Sequence, residues 1–159
     1  MSQLSLPDPN NASIRFNNSP MLISVRNRVP WRTVIVCLIL SRFRGRQASL
    51  RHLHLLTWSI ETDGTRELFK VWLSGARPMD RSTVRIDPEL NVTVTLAYGL
   101  GLVVVIGTTH KVKLTETGEA LAAEIDSQEE LLQVEKRYLA DLGTLNESRL
   151  QKTLGALAE

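Results

Sequence analysis

Three histidines, one cysteine and scattered serines and acids are the side chains of this sequence that reaction chemistry would draw on. His52 and His54 stand two apart, a spacing that turns them to different sides of a helix, and His110 falls in a predicted hairpin, so no metal pair emerges. Cys37 lies inside an apolar run, where a thiol behaves as a small hydrophobe and its ionisation is not favoured. A single cysteine also builds neither an internal disulfide nor a multi-thiolate zinc site, and it suits a reducing, cytoplasmic compartment. The sequence contains no Gly-x-Ser-x-Gly elbow, no phosphate-binding Gly-Lys-Thr loop, no His-Glu-x-x-His pair and no dinucleotide-binding glycine signature. Gly99-x-Gly101 lacks the third glycine and precedes a strand, the wrong order for a cofactor loop. The expectation is a chain that is not an enzyme, with no catalytic, cofactor-binding or metal residues of its own.

Charge is more informative than nucleophiles. The net charge is only +2, yet Pro9 to Ile60 holds eight arginines, no lysine and no acid, whereas Glu61 to Glu159 holds eleven basic residues against sixteen acidic ones. Arg42, Arg44, Arg46 and Arg51 gather around one predicted inter-helix turn, and Lys111 and Lys113 lie in a predicted hairpin. Guanidinium forks of this kind hold phosphates without reading bases, and they fit carboxylates on an acidic partner equally well. These six residues are the candidate contacts for duplex DNA, bound without sequence preference, or for an acidic protein surface. Single-strand binding loses weight because aromatics are only 5% of the chain, leaving few rings on which bases would stack.

The elements that must position these groups follow from periodicity. A length of 159 residues suits one compact core, and 43% hydrophobic with 23% charged residues is an ordinary globular balance. Residues 1–20 are rich in Asn, Pro and Ser and read as a flexible arm. Met21 to Val29 reads as an extended segment, and Pro30 suits the first turn of a helix through Phe43 whose apolar residues surround it almost completely. Ser49 caps a second helix through Ile60, and Asp63 or Thr65 caps a third over Arg66 to Leu73. Thr83 to Ile86 reads as extended. Asp87-Pro88 opens a helix to about Tyr98, despite the β-branched run Val92 to Thr95, with Leu90, Val94 and Ala97 as its inward stripe. Leu102 to Ile106 and His110 to Leu114 read as a hairpin, and Thr115 caps a following helix. Ser127 with Glu130 fits a capping box for a further helix with Leu131, Leu132, Val134, Tyr138 and Leu139 on its apolar face. A last helix runs from Asn146 through Ala158, and its Leu150, Leu154 and Leu157 are candidates for a partner interface. The domain reading is an arm at 1–20, a core at 21–126 and a C-terminal helical extension at 127–159. The longest aliphatic run, Val34 to Leu40, is far short of the roughly 20 residues that cross a bilayer, and it begins too deep in the chain for a signal peptide. No membrane association is expected.

Three helices, an extended piece, a helix, a hairpin and another helix form the order of a mainly α, winged helix-turn-helix-like domain with a small β wing and a C-terminal helical extension. The run Ala97-Tyr98-Gly99-Leu100-Gly101-Leu102-Val103, followed after a polar turn by Lys113-Leu114-Thr115-Glu116-Thr117-Gly118, resembles the helix, wing and Leu-Thr-x-x-Gly start of the next helix in bacterial winged-helix regulators. Over about residues 30 to 125, the segments Ala48 to Ile60 and Ile86-Asp87-Pro88-Glu89-Leu90-Asn91 resemble the winged-helix middle components of ABC-three-component systems, including the small accessory subunit of Lamassu-type antiphage defence. That resemblance implies a noncatalytic accessory or scaffolding subunit with a KITE-like role, bridging an SMC-like coiled-coil ATPase, an effector nuclease subunit and duplex DNA in an antiphage or anti-plasmid complex. The rival reading is a homodimeric winged-helix transcriptional regulator. Against it, Asp87 to Gly101 has no Lys or Arg and two acids, the wrong sign for a helix entering the major groove.

Overall fold

The computed structural model describes residues 29–153. The expected arm at 1–20, Leu154, Leu157 and all of the expected extended segment Met21 to Val29 except Val29 lie outside the described residues; Val29 is not extended but opens the first helix.

Helix α1 (Val29–Arg42) is the axis of the molecule. Ile35, Val36, Cys37, Leu38, Ile39 and Leu40 are each 0% exposed, so this helix is surrounded on every side, as its unbroken apolar run requires. Its end is followed by a turn through Gly45 and Arg46, both with positive φ. The chain then forms strand β1 (Gln47–Ser49), which the sequence reading leaves as loop. Three residues carry no usable period of their own, and the strand exists through a partner more than sixty residues away.

Ser49 caps α2 (Leu50–Ile60), its hydroxyl accepting the His52 N–H at 3.3 Å. Helix α3 (Asp63–Leu73) starts three residues earlier than expected, because its cap is Thr62 in a reciprocal box with Thr65 rather than Asp63 or Thr65 itself. The expected extended piece at Thr83 to Ile86 is not a strand. Arg81–Thr83 form a 3-10 turn stapled by Asp80, whose carboxylate accepts the Ser82 N–H at 2.9 Å, and the chain runs on irregularly to Asp87.

Helix α4 (Glu89–Gly99) forms despite its β-branched residues, one residue later than the Asp87-Pro88 signal places it: its N-cap is Pro88, which makes no side-chain cap bond, and Asp87 stands just before. Asp87 accepts the Glu89 N–H at 2.9 Å, and the Thr93 and Thr95 hydroxyls donate back to the Glu89 and Asn91 carbonyls at 3.0 and 2.8 Å. Strands β2 (Val103–Ile106) and β3 (Lys111–Leu114) form the expected hairpin. With β1 they make a three-stranded antiparallel sheet in the order β1-β3-β2, so β3 is central.

Helix α5 (Glu116–Ser127) is capped by Thr115 as expected. The Ser127–Glu130 box is not formed: Ser127 closes α5, its hydroxyl donating to the Glu124 carbonyl at 2.6 Å. Helix α6 (Gln133–Leu142) begins only after Leu132, which takes a left-handed conformation. That shift leaves Leu131 and Val134 39% and 49% exposed, while Tyr138 and Leu139 are buried as expected and Leu142 joins them. A short α7 (Glu147–Thr153) ends the described chain.

One core joins all of this. Tyr138, Leu139, Leu142, Leu145 and Leu150 belong to the same buried cluster as Ile35, Phe43 and Leu53. Leu145 is also locked by backbone to the end of α1, donating to the Arg42 carbonyl at 2.9 Å and accepting from the Arg44 N–H at 2.8 Å. The architecture is mainly helical with a small antiparallel sheet.

Candidate functional site

The arginine turn is where the sequence points first. Arg42, Arg44 and Arg46 are brought together along a cleft of about 750 Å³ whose far wall is the Gly143–Thr144 segment after α6. Two of the three are engaged within the chain. Arg42 meets Asp126 at 2.8 Å, while Arg46 donates to the Ser41 carbonyl and lies 3.7 Å from Glu119. Arg44 is exposed, with no carboxylate beside it among the described residues. Arg51 does not join them: it lines a different cleft of about 360 Å³ with Thr109, His110 and Glu147. Lys111 is held by Glu147 at 2.7 Å. Lys113 is exposed on the outer sheet face, opposite Gln47 on one side and Val104 on the other. The six basic candidates therefore fall into three places, and Arg42, Arg46 and Lys111 face intramolecular acids.

Around Glu147 lies a polar cluster that the sequence does not reveal. Its carboxylate accepts the Ser49 N–H, the Lys111 ammonium and a longer contact from His52 Nδ1 at 3.4 Å. Burial pushes the Glu147 carboxyl up, but the Lys111 hydrogen bond, the Ser49 N–H and the charges of Lys111 and His52 outweigh it and hold the group below its ordinary value. His52 is depressed, mainly by burial and against the pull of Glu147. Serine, histidine and glutamate together suggest a nucleophilic relay, and the geometry excludes one. Ser49 Oγ and Glu147 both meet the same ring nitrogen, Nδ1, at 2.8 and 3.4 Å, whereas a relay needs its acid and its nucleophile on opposite nitrogens. Ser49 is a helix cap and Glu147 a clamp. No local signal shows this, because the partners are 95 to 98 residues apart.

The remaining chemical candidates are packed. Cys37 is buried, and desolvation pushes its thiol up to about 11. No group of three or more potential metal ligands occurs among the described residues. Leu150, expected at a partner interface, is 1% exposed; burial in the common core removes it from any surface. Among the described residues no helix is long and apolar enough to cross a membrane.

The surface that sequence reasoning passed over is the outer side of α4. Leu90, Val94 and Ala97 are buried as expected, at 2%, 7% and 0% exposure. A second stripe, Val92, Leu96 and Leu100, repeats every four residues and is 60%, 41% and 58% exposed. Tyr98 is exposed as well, and Val104 and Val105 follow on β2. From Asn91 to Thr109 no residue is charged. The signal was in the sequence: α4 has two apolar stripes, and one helix side suffices for the core.

Compared with family models, with curated proteins and with solved structures, the chain matches none of them.

Proposed function

We propose that this chain is a noncatalytic accessory subunit of winged-helix type that joins an SMC-like coiled-coil ATPase to an effector nuclease in a cytoplasmic antiphage or anti-plasmid complex. The hairpin that follows α4 and closes back on β1 supports the winged-helix reading. The observation that carries the functional reading is the outer face of α4. Where a winged-helix regulator presents a basic recognition helix, this chain presents an uncharged surface with an apolar stripe, suited to protein and unsuited to phosphate. Val92, Leu96 and Leu100 at i, i+4 and i+8 fit the groove between paired helices of a coiled-coil arm. Arg44 and Lys113, exposed and on other faces, supply weak contacts to passing DNA or to acidic protein.

Co-expression of the chain with its genomic neighbours, followed by affinity purification, tests this reading. A coiled-coil ATPase is expected at fixed stoichiometry, and the double change Val92→Glu, Leu96→Glu is expected to release it while leaving the circular dichroism spectrum unchanged, because both side chains are already solvent-facing. If the isolated protein binds duplex DNA tightly with a steep salt dependence, and no ATPase co-purifies, the chain is a regulator and the proposal is wrong.

A further inference from the structure

The two edges of the three-stranded sheet are treated in opposite ways. Strand β1 forms one edge, only three residues long and partly covered: the Ser49 N–H goes to the Glu147 carboxylate, and the chain before the strand pairs with Leu145 through Arg42 and Arg44. Strand β2, paired with β3 on its inner side, forms the other edge, and no element among the described residues pairs with its outer side. Nor does β2 carry any of the usual protections. It has no charge, no proline and no bulge, and it reads Val-Val-Val-Ile with Val104 and Val105 41% and 49% exposed.

The ladder fixes which backbone groups are open. Leu102 accepts from the Thr115 N–H at 3.0 Å, so the carbonyl of residue 102 faces β3. In an antiparallel ladder the direction alternates, so Val104 and Ile106 also turn their N–H and C=O groups toward β3, and Val103 and Val105 turn theirs to the free edge. We infer that this edge is an interface between two copies of the chain, with β2 pairing antiparallel to β2 of the second copy about a two-fold axis through Val104. Val103 of each copy then exchanges hydrogen bonds with Val105 of the other, and the two Val104 side chains meet on the outer sheet face.

A second copy is the occupant favoured by charge and by closure. A patch that faces itself across a two-fold axis sets any charge near the axis against its own copy, and the chain from Asn91 to Thr109 carries no charge to be set so. The resulting six-stranded sheet ends at both sides in β1, which is three residues long, has its Ser49 N–H taken by Glu147 and follows a Phe43–Leu145 bridge, so neither end offers an edge like that of β2 to a third copy. This interface uses β2 and leaves the α4 stripe for another protein, so it does not depend on which partner that stripe meets.

Sedimentation of the purified full chain across a concentration series, with two variants, tests the inference. The wild type is expected to approach twice the chain mass as concentration rises. Val105→Pro removes an N–H that faces the free edge and makes no ladder bond within the chain, so it is expected to stay folded and sediment as a single chain. Val104→Lys, at a solvent-facing position, sets two ammonium groups opposite each other at the axis and is also expected to be monomeric. A wild type that remains monomeric throughout would show that something other than a second copy covers this edge, and would overturn the inference. So would a dimer that persists in either variant that folds; if Val105→Pro fails to fold, Val104→Lys decides.

Discussion

Glu147 holds together groups from three parts of the chain, the cap of α2, the central strand and its own helix, and its protonation is therefore a folding variable. Its carboxyl lies below the ordinary value of 4.5, so the stability it supplies is present above that value and is lost as pH falls through it toward the folded-state value. His52 is a base, but its shift is also downward, from 6.5, so the sign is the same: the unfolded chain takes up the proton first, and stability falls as pH drops below 6.5. Urea midpoints measured against pH are expected to decline on the acid side in two stages, the upper from His52 together with the likewise depressed His54 and the lower from Glu147, and to decline again above pH 9.0, where the Cys37 thiol ionises in the unfolded chain before it does in the fold. Glu147→Gln should lower stability near neutrality by about 1–3 kcal/mol, since it leaves Lys111 and His52 without their acid, and should flatten the more acidic stage. Identical pH profiles for variant and wild type would reduce this cluster to surface decoration.

Helix α5 is joined to the hairpin by a clasp that explains why Leu114-Thr115-x-x-Gly118 has that spacing. The Thr115 hydroxyl accepts the Gly118 N–H at 3.1 Å and donates to the Gly101 carbonyl at 2.5 Å, while its own N–H goes to Leu102. A Cβ on residue 118 would lie 2.1 Å from the Leu102 carbonyl oxygen and 2.7 Å from Leu114 Cδ2, so helix and strand meet where only glycine fits. Gly118→Ala is expected to cost at least about 1–3 kcal/mol in urea unfolding, since the clash is with backbone that cannot rotate away, despite alanine's higher helix propensity. A neutral or stabilised variant would mean that the helix and the hairpin can separate freely. This motif was legible because cap and glycine lie within four residues. Helices α1, α2 and α4 were legible for the same reason: Pro30, Ser49 and Asp87 are local signals next to the residues they organise. Strand β1 was not, since Gln47-Ala48-Ser49 becomes a strand only beside β3, and the Ser127–Glu130 spacing misled because Ser127 satisfies its hydroxyl within the helix before it. The arginine turn was found, but its pairing with Asp126 and Glu119 was not, because nothing near residue 42 or 46 encodes a partner more than seventy residues on.

At the scale of the molecule, part of the uneven charge of the sequence is an internal arrangement. Arg32 pairs with Asp87, Arg42 with Asp126 and Arg46 approaches Glu119, so three arginines of the basic segment meet acids of the later chain, while Lys111 holds Glu147 within that later chain. The same folding-back places α6 and α7 in the core rather than in an appended layer: Leu142, Leu145 and Leu150 are buried with the residues of α1, and Tyr138 donates to Ser59 of α2 at 3.0 Å. If the C-terminal helices were an extension, damage there would leave residues 29–126 folded. A shared core requires the opposite. Leu150→Ala should therefore destabilise the whole protein by about 2–5 kcal/mol, the range for emptying a fully buried leucine site. The stacked pair Trp58 and Trp72, centroids 5.5 Å apart, provides a reporter in α2 and α3. Tryptophan fluorescence and far-ultraviolet circular dichroism should shift to lower urea together, as one transition. If fluorescence kept its wild-type midpoint while helical signal was lost earlier, the last two helices would be a separate unit, and the common core would be refuted.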